Sequence, residues 1–201
     1  MGQITVKKDL NGIAGLCLIE PRVHGDSRGY FLETWSRRDM EEAGFDIDFV
    51  QDNQSSSSKG VLRGLHFQKQ HSQTKLVRVI RGEVFDVVVD LRSWSGTYGQ
   101  WHGELLTEEN KKQFLVPKGF AHGFLVLSET AEFCYRCDDY YHPEDEDGVA
   151  WNDPEIGIAW PKLKGEYPGT ASGEGYTVDG VPLKLSDRDR KWQGIKDAYK
   201  F

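Results

Sequence analysis

Leu76-Val77-Arg78-Val79-Ile80-Arg81-Gly82-Glu83-Val84-Phe85-Asp86-Val87-Val88-Val89-Asp90-Leu91 is rich in β-branched residues and is broken once, at Arg81-Gly82. It reads as two strands, 76–80 and 84–91, with a hairpin turn predicted at the break. Similar short apolar runs occupy Leu16 to Ile19, Gln113 to Val116 and Gly123 to Leu127, and Asn11-Gly12 marks a second hairpin turn. Helical periodicity is scarce. Many short strands without alternating helices imply a mostly-β sandwich or barrel and exclude a doubly wound sheet.

Two helices are predicted against this background. One lies near 36–43, with Ser36 as N-cap, Asp39 behind it and Gly44 to end it; the other runs near 186–199, with Ser186 as cap and Asp189 three residues later. Between 162 and 181 the chain is rich in Gly, Pro, Ser and Thr, which predicts an irregular loop.

The chain has 201 residues, a length that fits one domain, 1–201. Its formal net charge of -7 opposes a nucleic-acid-binding role, so an anionic small molecule would need a local cluster of Arg and Lys. No apolar run approaches the roughly 20 residues of a membrane span, and a cytoplasmic protein with no membrane partner is expected. Cys17, Cys134 and Cys137 form no paired framework. Cys134 and Cys137 make a C-x-x-C on a strand, where residues three apart face opposite ways, so they are read as incidental.

Chemistry centres on the strand Leu62-Arg63-Gly64-Leu65-His66-Phe67-Gln68. Alternation puts Leu62, Gly64, His66 and Gln68 on one face. His66 is either a general base projecting into a cavity or a core histidine with one hydrogen bond. His122 follows a Pro117-x-Gly119-x-x-His122 turn that resembles the second motif of the cupins, small jelly-roll barrels. Metal-binding cupins carry a His-x-His pair and a carboxylate in the first motif. Here Gln68 stands at the second histidine, and Lys75 stands seven residues before Gly82, where the carboxylate belongs. Gln is a poor transition-metal ligand and an ammonium repels a cation, so no metal and no cofactor are expected in the barrel.

The runs Val50-Gln51-Asp52-Asn53, Val61 to Gln68, Gly82 to Val87, Gly119 to Phe124 and Trp151-Asn152-Asp153-Pro154 resemble the dTDP-4-dehydrorhamnose 3,5-epimerase family over about Ile19 to Trp160. The resemblance implies a cupin-type jelly roll with its core at 19–160 and a C-terminal loop and helix at 162–201. The implied reaction inverts carbons 3 and 5 of a dTDP-linked 4-keto-6-deoxy sugar, both beside the ketone, through an enolate. His66 would be the base, Asp189 its orienting partner unless it only caps a helix, Lys75 the oxyanion stabiliser and Tyr135 the acid on the opposite face. Asp86 and His122 match sugar-contact or supporting positions. Arg28 and Arg63 match diphosphate ligands; Glu33, Gln51 and Asn53 match base-recognition positions; Tyr140 matches a stacking aromatic; Glu146 and Arg188 match further binding residues. Arg63 sits opposite His66 in strict alternation, so either the strand begins after it or a bulge re-aims it. A homodimer, with an N-terminal strand crossing between subunits, is expected from the same resemblance. A metal-dependent cupin oxygenase or isomerase and a non-catalytic sugar or nucleotide binder are the rival readings.

Overall fold

The computed structural model describes residues 3–165 and 172–201. Its strands in chain order are β1 (Ile4–Lys7), β2 (Cys17–Pro21), β3 (His24–Asp26), β4 (Gly29–Phe31), β5 (Gln51–Ser58), β6 (Leu62–Gln68), β7 (Lys75–Arg81) and β8 (Glu83–Asp90). They continue as β9 (Trp101–Thr107), β10 (Gln113–Val116), β11 (Phe120–Val126), β12 (Thr130–Cys137), β13 (Glu146–Gly148), β14 (Leu163–Gly165), β15 (Tyr176–Val178) and β16 (Val181–Pro182). Two antiparallel sheets dominate, ordered β1-β2-β10-β7-β12-β5 and β13-β6-β11-β8-β9, and they face each other as a jelly roll. No helix among the described residues is long and apolar enough to cross a membrane.

The stretch around Gly82 is not a hairpin. β7 pairs with β10 and β12 while β8 pairs with β11 and β9, so neither strand has a free edge for the other. Gly82 is instead the corner where the chain leaves one sheet for the other. Its φ is 77°, and a Cβ there would lie 2.1 Å from the Thr130 carbonyl oxygen, which requires glycine at this position.

The near-continuous apolar run of β8 has its cause in burial on both faces. Val84 and Val88 join Val77, Val79, Phe114, Phe124 and Phe133 in the core between the sheets. Val87 and Val89 pack outward against Trp151, Trp160, Ile195 and Leu183, contributed by the C-terminal third. Phe133 is fully buried and stacks on Phe124 with ring centroids 4.3 Å apart. Truncating it to Ala would cost about 3–5 kcal/mol.

The helix predicted near 36–43 forms as α1 (Arg37–Glu42), where the Ser36 hydroxyl accepts from the Asp39 N–H and Gly44 ends the turn at φ 90°. The helix predicted near 186–199 does not form. Only one turn exists, with the Arg190 N–H donating to the Ser186 carbonyl; beyond it the backbone is committed elsewhere. Gln193 accepts from the Ala150 N–H, the Ile195 N–H donates to Asp153, and the Trp192 indole lies against Gly148, where a Cβ would come within 2.5 Å. These tertiary bonds outcompete helix propagation. The loop predicted over 162–181 is partly ordered as the small sheet β14-β15-β16, which buries Val178; positions 166–171 of that stretch lie outside the described residues.

Candidate active site

A cavity of about 890 Å³ opens between the two sheets, with an adjoining lobe of about 270 Å³ that shares Asn53, His66, Lys75 and Tyr135. One wall comes from the six-stranded sheet. The register sets Gln51 opposite Cys137 and Cys137 opposite Lys75, while Asn53 faces Tyr135 and Tyr135 faces Val77. Two-residue alternation turns Gln51, Asn53, Lys75, Tyr135 and Cys137 inward together. Cys137 is not incidental to the cavity. Cys134 does point away, but Cys137 is two residues from Tyr135 and lines the adjoining lobe.

The other wall comes from β6 and β11. His122 pairs with His66 and Phe124 with Arg63, so Gly64 and Leu65 together oppose the single residue Gly123. This bulge turns both Arg63 and His66 into the cavity, and the expectation that strict alternation runs from Leu62 to Gln68 fails at it. Two glycines permit the approach: a Cβ on Gly64 would sit 2.6 Å from the Gly123 Cα, and one on Gly123 would sit 2.5 Å from the Arg63 carbonyl oxygen.

The two cross-strand histidines each carry a carboxylate. His66 Nε2 bonds to Asp189 Oδ1, and His122 Nε2 lies 2.9 and 3.0 Å from the Asp86 oxygens. With Nε2–H donated to Asp189, the lone pair of His66 rests on Nδ1, the atom free to take a proton. Asp189 is itself gripped by the Ser186 hydroxyl at 2.8 Å and the Trp192 indole N–H at 3.3 Å. Burial pushes the Asp189 carboxyl up, but the bonds from His66, Ser186 and Trp192 outweigh it and hold the group below the ordinary carboxylate range. Asp86 is the reverse case: burial holds it above that range, and His122 offsets this only in part.

The Lys75–Tyr135 wall lacks such partners. Among the described residues no hydrogen bond or ion pair reaches Lys75 Nζ or the Tyr135 hydroxyl, and each shift has burial as its leading cause. Lys75 is pushed down, against the pull of Cys137 and Asp86. Tyr135 is pushed up, with Arg63 opposing. Cys137 is pushed up to about 11, so it stays a neutral thiol beside Lys75.

Cations ring the mouth. Arg63 donates from Nε and Nη2 to the Ser57 hydroxyl at 3.2 and 3.1 Å, Lys184 reaches the Ser58 hydroxyl at 2.9 Å, and Arg188 pairs with Glu146. The Tyr141 hydroxyl donates to Glu146 at 3.2 Å. The cavity and its lobe thus gather His66, Lys75, Tyr135, Asp189, Arg63, Gln51, Asn53, His122, Glu146 and Arg188, with Asp86 directly behind His122. They do not gather Arg28, which pairs with Asp26 on the exposed β3–β4 ribbon, nor Glu33, nor Tyr140, which is 60% exposed. Sequence reasoning missed Tyr141, Lys184, Trp192 and Cys137. Tyr141 lies past the end of β12 at Cys137, outside any strand, so alternation carried no signal that it rather than Tyr140 lines the adjoining lobe.

Residues 11–197 match the family model described as dTDP-4-dehydrorhamnose 3,5-epimerase. The chain belongs to this family. A dTDP-4-dehydrorhamnose 3,5-epimerase of Pseudomonas aeruginosa is 50% identical over 92% of this chain and 94% of its own length. Among solved structures, the dTDP-6-deoxy-D-glucose-3,5-epimerase of Legionella pneumophila, in complex with dTDP-4-keto-L-rhamnose, superposes with a TM-score of 0.80 at 48% identity, over 90% of this chain and 88% of that one. The dTDP-4-dehydrorhamnose 3,5-epimerase of Elizabethkingia anophelis gives a TM-score of 0.82 at 42% identity, over 98% of this chain and 100% of that one.

Proposed function

We propose that this chain inverts carbons 3 and 5 of dTDP-4-dehydro-6-deoxy-D-glucose, by proton abstraction and return through an enolate, in dTDP-L-rhamnose biosynthesis. The observation that carries the mechanism is the origin of His66 and Tyr135 on opposite sheets, facing one cavity. Inversion needs a proton removed from one face of a carbon and returned to the other. His66 Nδ1 takes the proton, Asp189 stabilises the imidazolium through Nε2, and Tyr135, kept protonated by its dehydrated setting, donates from the far side. The Lys75 ammonium stabilises the enolate oxygen. Arg63, Arg188 and Lys184 are the local cation cluster that a diphosphate requires in a chain of net charge -7.

The reaction proceeds without metal or organic cofactor. Gln68, at the cupin ligand position, spends its amide on the backbone of His71, Tyr140 and His142, and Lys75 stands where a carboxylate ligand would be needed. A homodimer accounts for Arg28 and Glu33, which would serve a neighbouring subunit's cavity from the β3–β4 arm; light scattering on the purified protein tests it. The free buried cysteines suit a reducing cytoplasm. The central test is incubation with dTDP-4-keto-6-deoxyglucose in heavy water, followed by NMR. Deuterium at both carbons is expected; exchange at one carbon would restrict the assignment, and absence of exchange would refute it.

A further inference from the structure

Outside the cavity, on the loops that follow β6 and β12, His71, Asp139 and His142 bring one ligand atom each to within 4.8 Å of one another. Among the described residues this is the set of His, Cys, Asp and Glu side chains so gathered. The two imidazoles stack with centroids 3.8 Å apart and planes at 16°, and Asp139 Oδ2 lies 3.7 Å from His71 Nδ1. A second carboxylate, Glu144, stands 3.5 Å from His142 Nδ1.

The loops that carry these side chains are fixed from below. Gln68, 4% exposed, donates from one amide nitrogen to the carbonyls of His71 at 2.7 Å and Tyr140 at 3.0 Å, and accepts from the His142 N–H at 2.5 Å. Buried Asp145 accepts from the N–H groups of Gln70 and His71. The Gln73 side chain donates to the Asp139 carbonyl at 2.8 Å. The donor set therefore rests on a held backbone, which lowers the ordering cost of binding an ion.

We propose that His71, Asp139 and His142 form a peripheral binding site for a divalent transition-metal ion of the zinc type. Two imidazoles and one carboxylate suit a borderline-soft cation better than Mg²⁺ or Ca²⁺, which take oxygen ligands. Ligand atoms on a tetrahedral Zn²⁺ sit about 3.4 Å apart for bonds of roughly 2.0–2.2 Å, so binding requires side-chain shifts of about 1 Å together with rotation of the stacked rings until each in-plane lone pair points at the ion. Three protein ligands leave the fourth position to water or Glu144. Such an ion takes no part in proton transfer at His66. It staples the loop after β6 to the loop after β12, the two segments that lead into Lys75 and Tyr141 at the cavity.

The test is calorimetric titration of tag-free, EDTA-treated protein with ZnCl₂, paired with thermal melting. The expected result is saturable binding of one Zn²⁺ per chain and a melting temperature that rises with Zn²⁺ and returns with EDTA. The double variant His71→Gln, His142→Gln should weaken binding at least about tenfold while matching the wild type in turnover and in melting temperature with EDTA present. Asp139→Asn, a milder change, should weaken it in the same direction. His66→Asn should bind Zn²⁺ as the wild type does. The proposal is overturned by absence of saturable binding, by binding that survives the double variant and Asp139→Asn, or by binding that His66→Asn removes.

Discussion

The two walls of the cavity solve opposite problems with different means. On the β6–β11 wall the polar side chains are compensated: His66 has Asp189 and His122 has Asp86, each through Nε2. On the β7–β12 wall Lys75, Tyr135 and Cys137 stand in a row, and burial is the leading influence on each. A paired imidazole can accept a proton because its new charge already has a counter-charge. An unpaired phenol in a dry wall holds its proton until a stronger base, in the proposed reaction an enolate, takes it. The proposed division between acid and base thus follows where the carboxylates lie: Asp86 on β8 and Asp189 in the C-terminal segment both bond to histidines of the β6–β11 wall.

The largest loss of activity is expected on the compensated wall. His66→Asn removes the proposed base and should lower kcat by about 10⁴-fold, the upper end for a positioned proton acceptor, measured by product formation at saturating substrate. Lys75→Met attacks the uncompensated wall. Loss of the enolate stabiliser proposed for this wall should cost about 3–4 kcal/mol in the transition state, or roughly 10²–10³-fold in kcat.

The same Lys75→Met variant should melt at a higher temperature than the wild type near pH 7. The folded-state pKa of Lys75 lies below its ordinary 10.5. Below the depressed value the ammonium is charged in both states and its dehydration lowers stability. As pH rises from there toward 10.5, the unfolded chain binds more protons and wild-type stability recovers. The advantage of the variant should therefore shrink across that window, as read by melting curves at stepped pH.

Asp189→Asn leaves the imidazole in place without its counter-charge and should reduce kcat by roughly 10–100-fold. Trp192→Phe removes one of the two groups that hold Asp189 and should cost about 1 kcal/mol, a few-fold in kcat, with KM unchanged. Steady-state kinetics measure both. A Trp192→Phe effect confined to KM would place the indole on the substrate instead.

The barrel was legible because its strands are short, apolar and bounded by turn residues, and α1 because Ser36 and Gly44 mark its ends. Other features were hidden for physical reasons. The break at Gly82 looks the same whether the chain reverses within a sheet or crosses between sheets; the difference depends on which edges β10, β12, β9 and β11 already occupy. Ser186 and Asp189 carry a real capping bond, from the Asp189 N–H to the Ser186 hydroxyl at 3.1 Å, yet no helix follows because Gln193 and Ile195 bond to Ala150 and Asp153. That local signature concealed the contact of Asp189 with His66, which lies 123 positions away. Arg63 could be placed only once the bulge opposite Gly123 was visible.

Tyr135→Phe in heavy water tests the opposed walls most directly. With His66 intact and the proposed acid gone, the substrate carbons should exchange hydrogen for deuterium by NMR while inversion at one or both is lost. Inversion at the wild-type rate in this variant, or exchange that persists in His66→Asn, would contradict the assignment of base and acid to facing sheets.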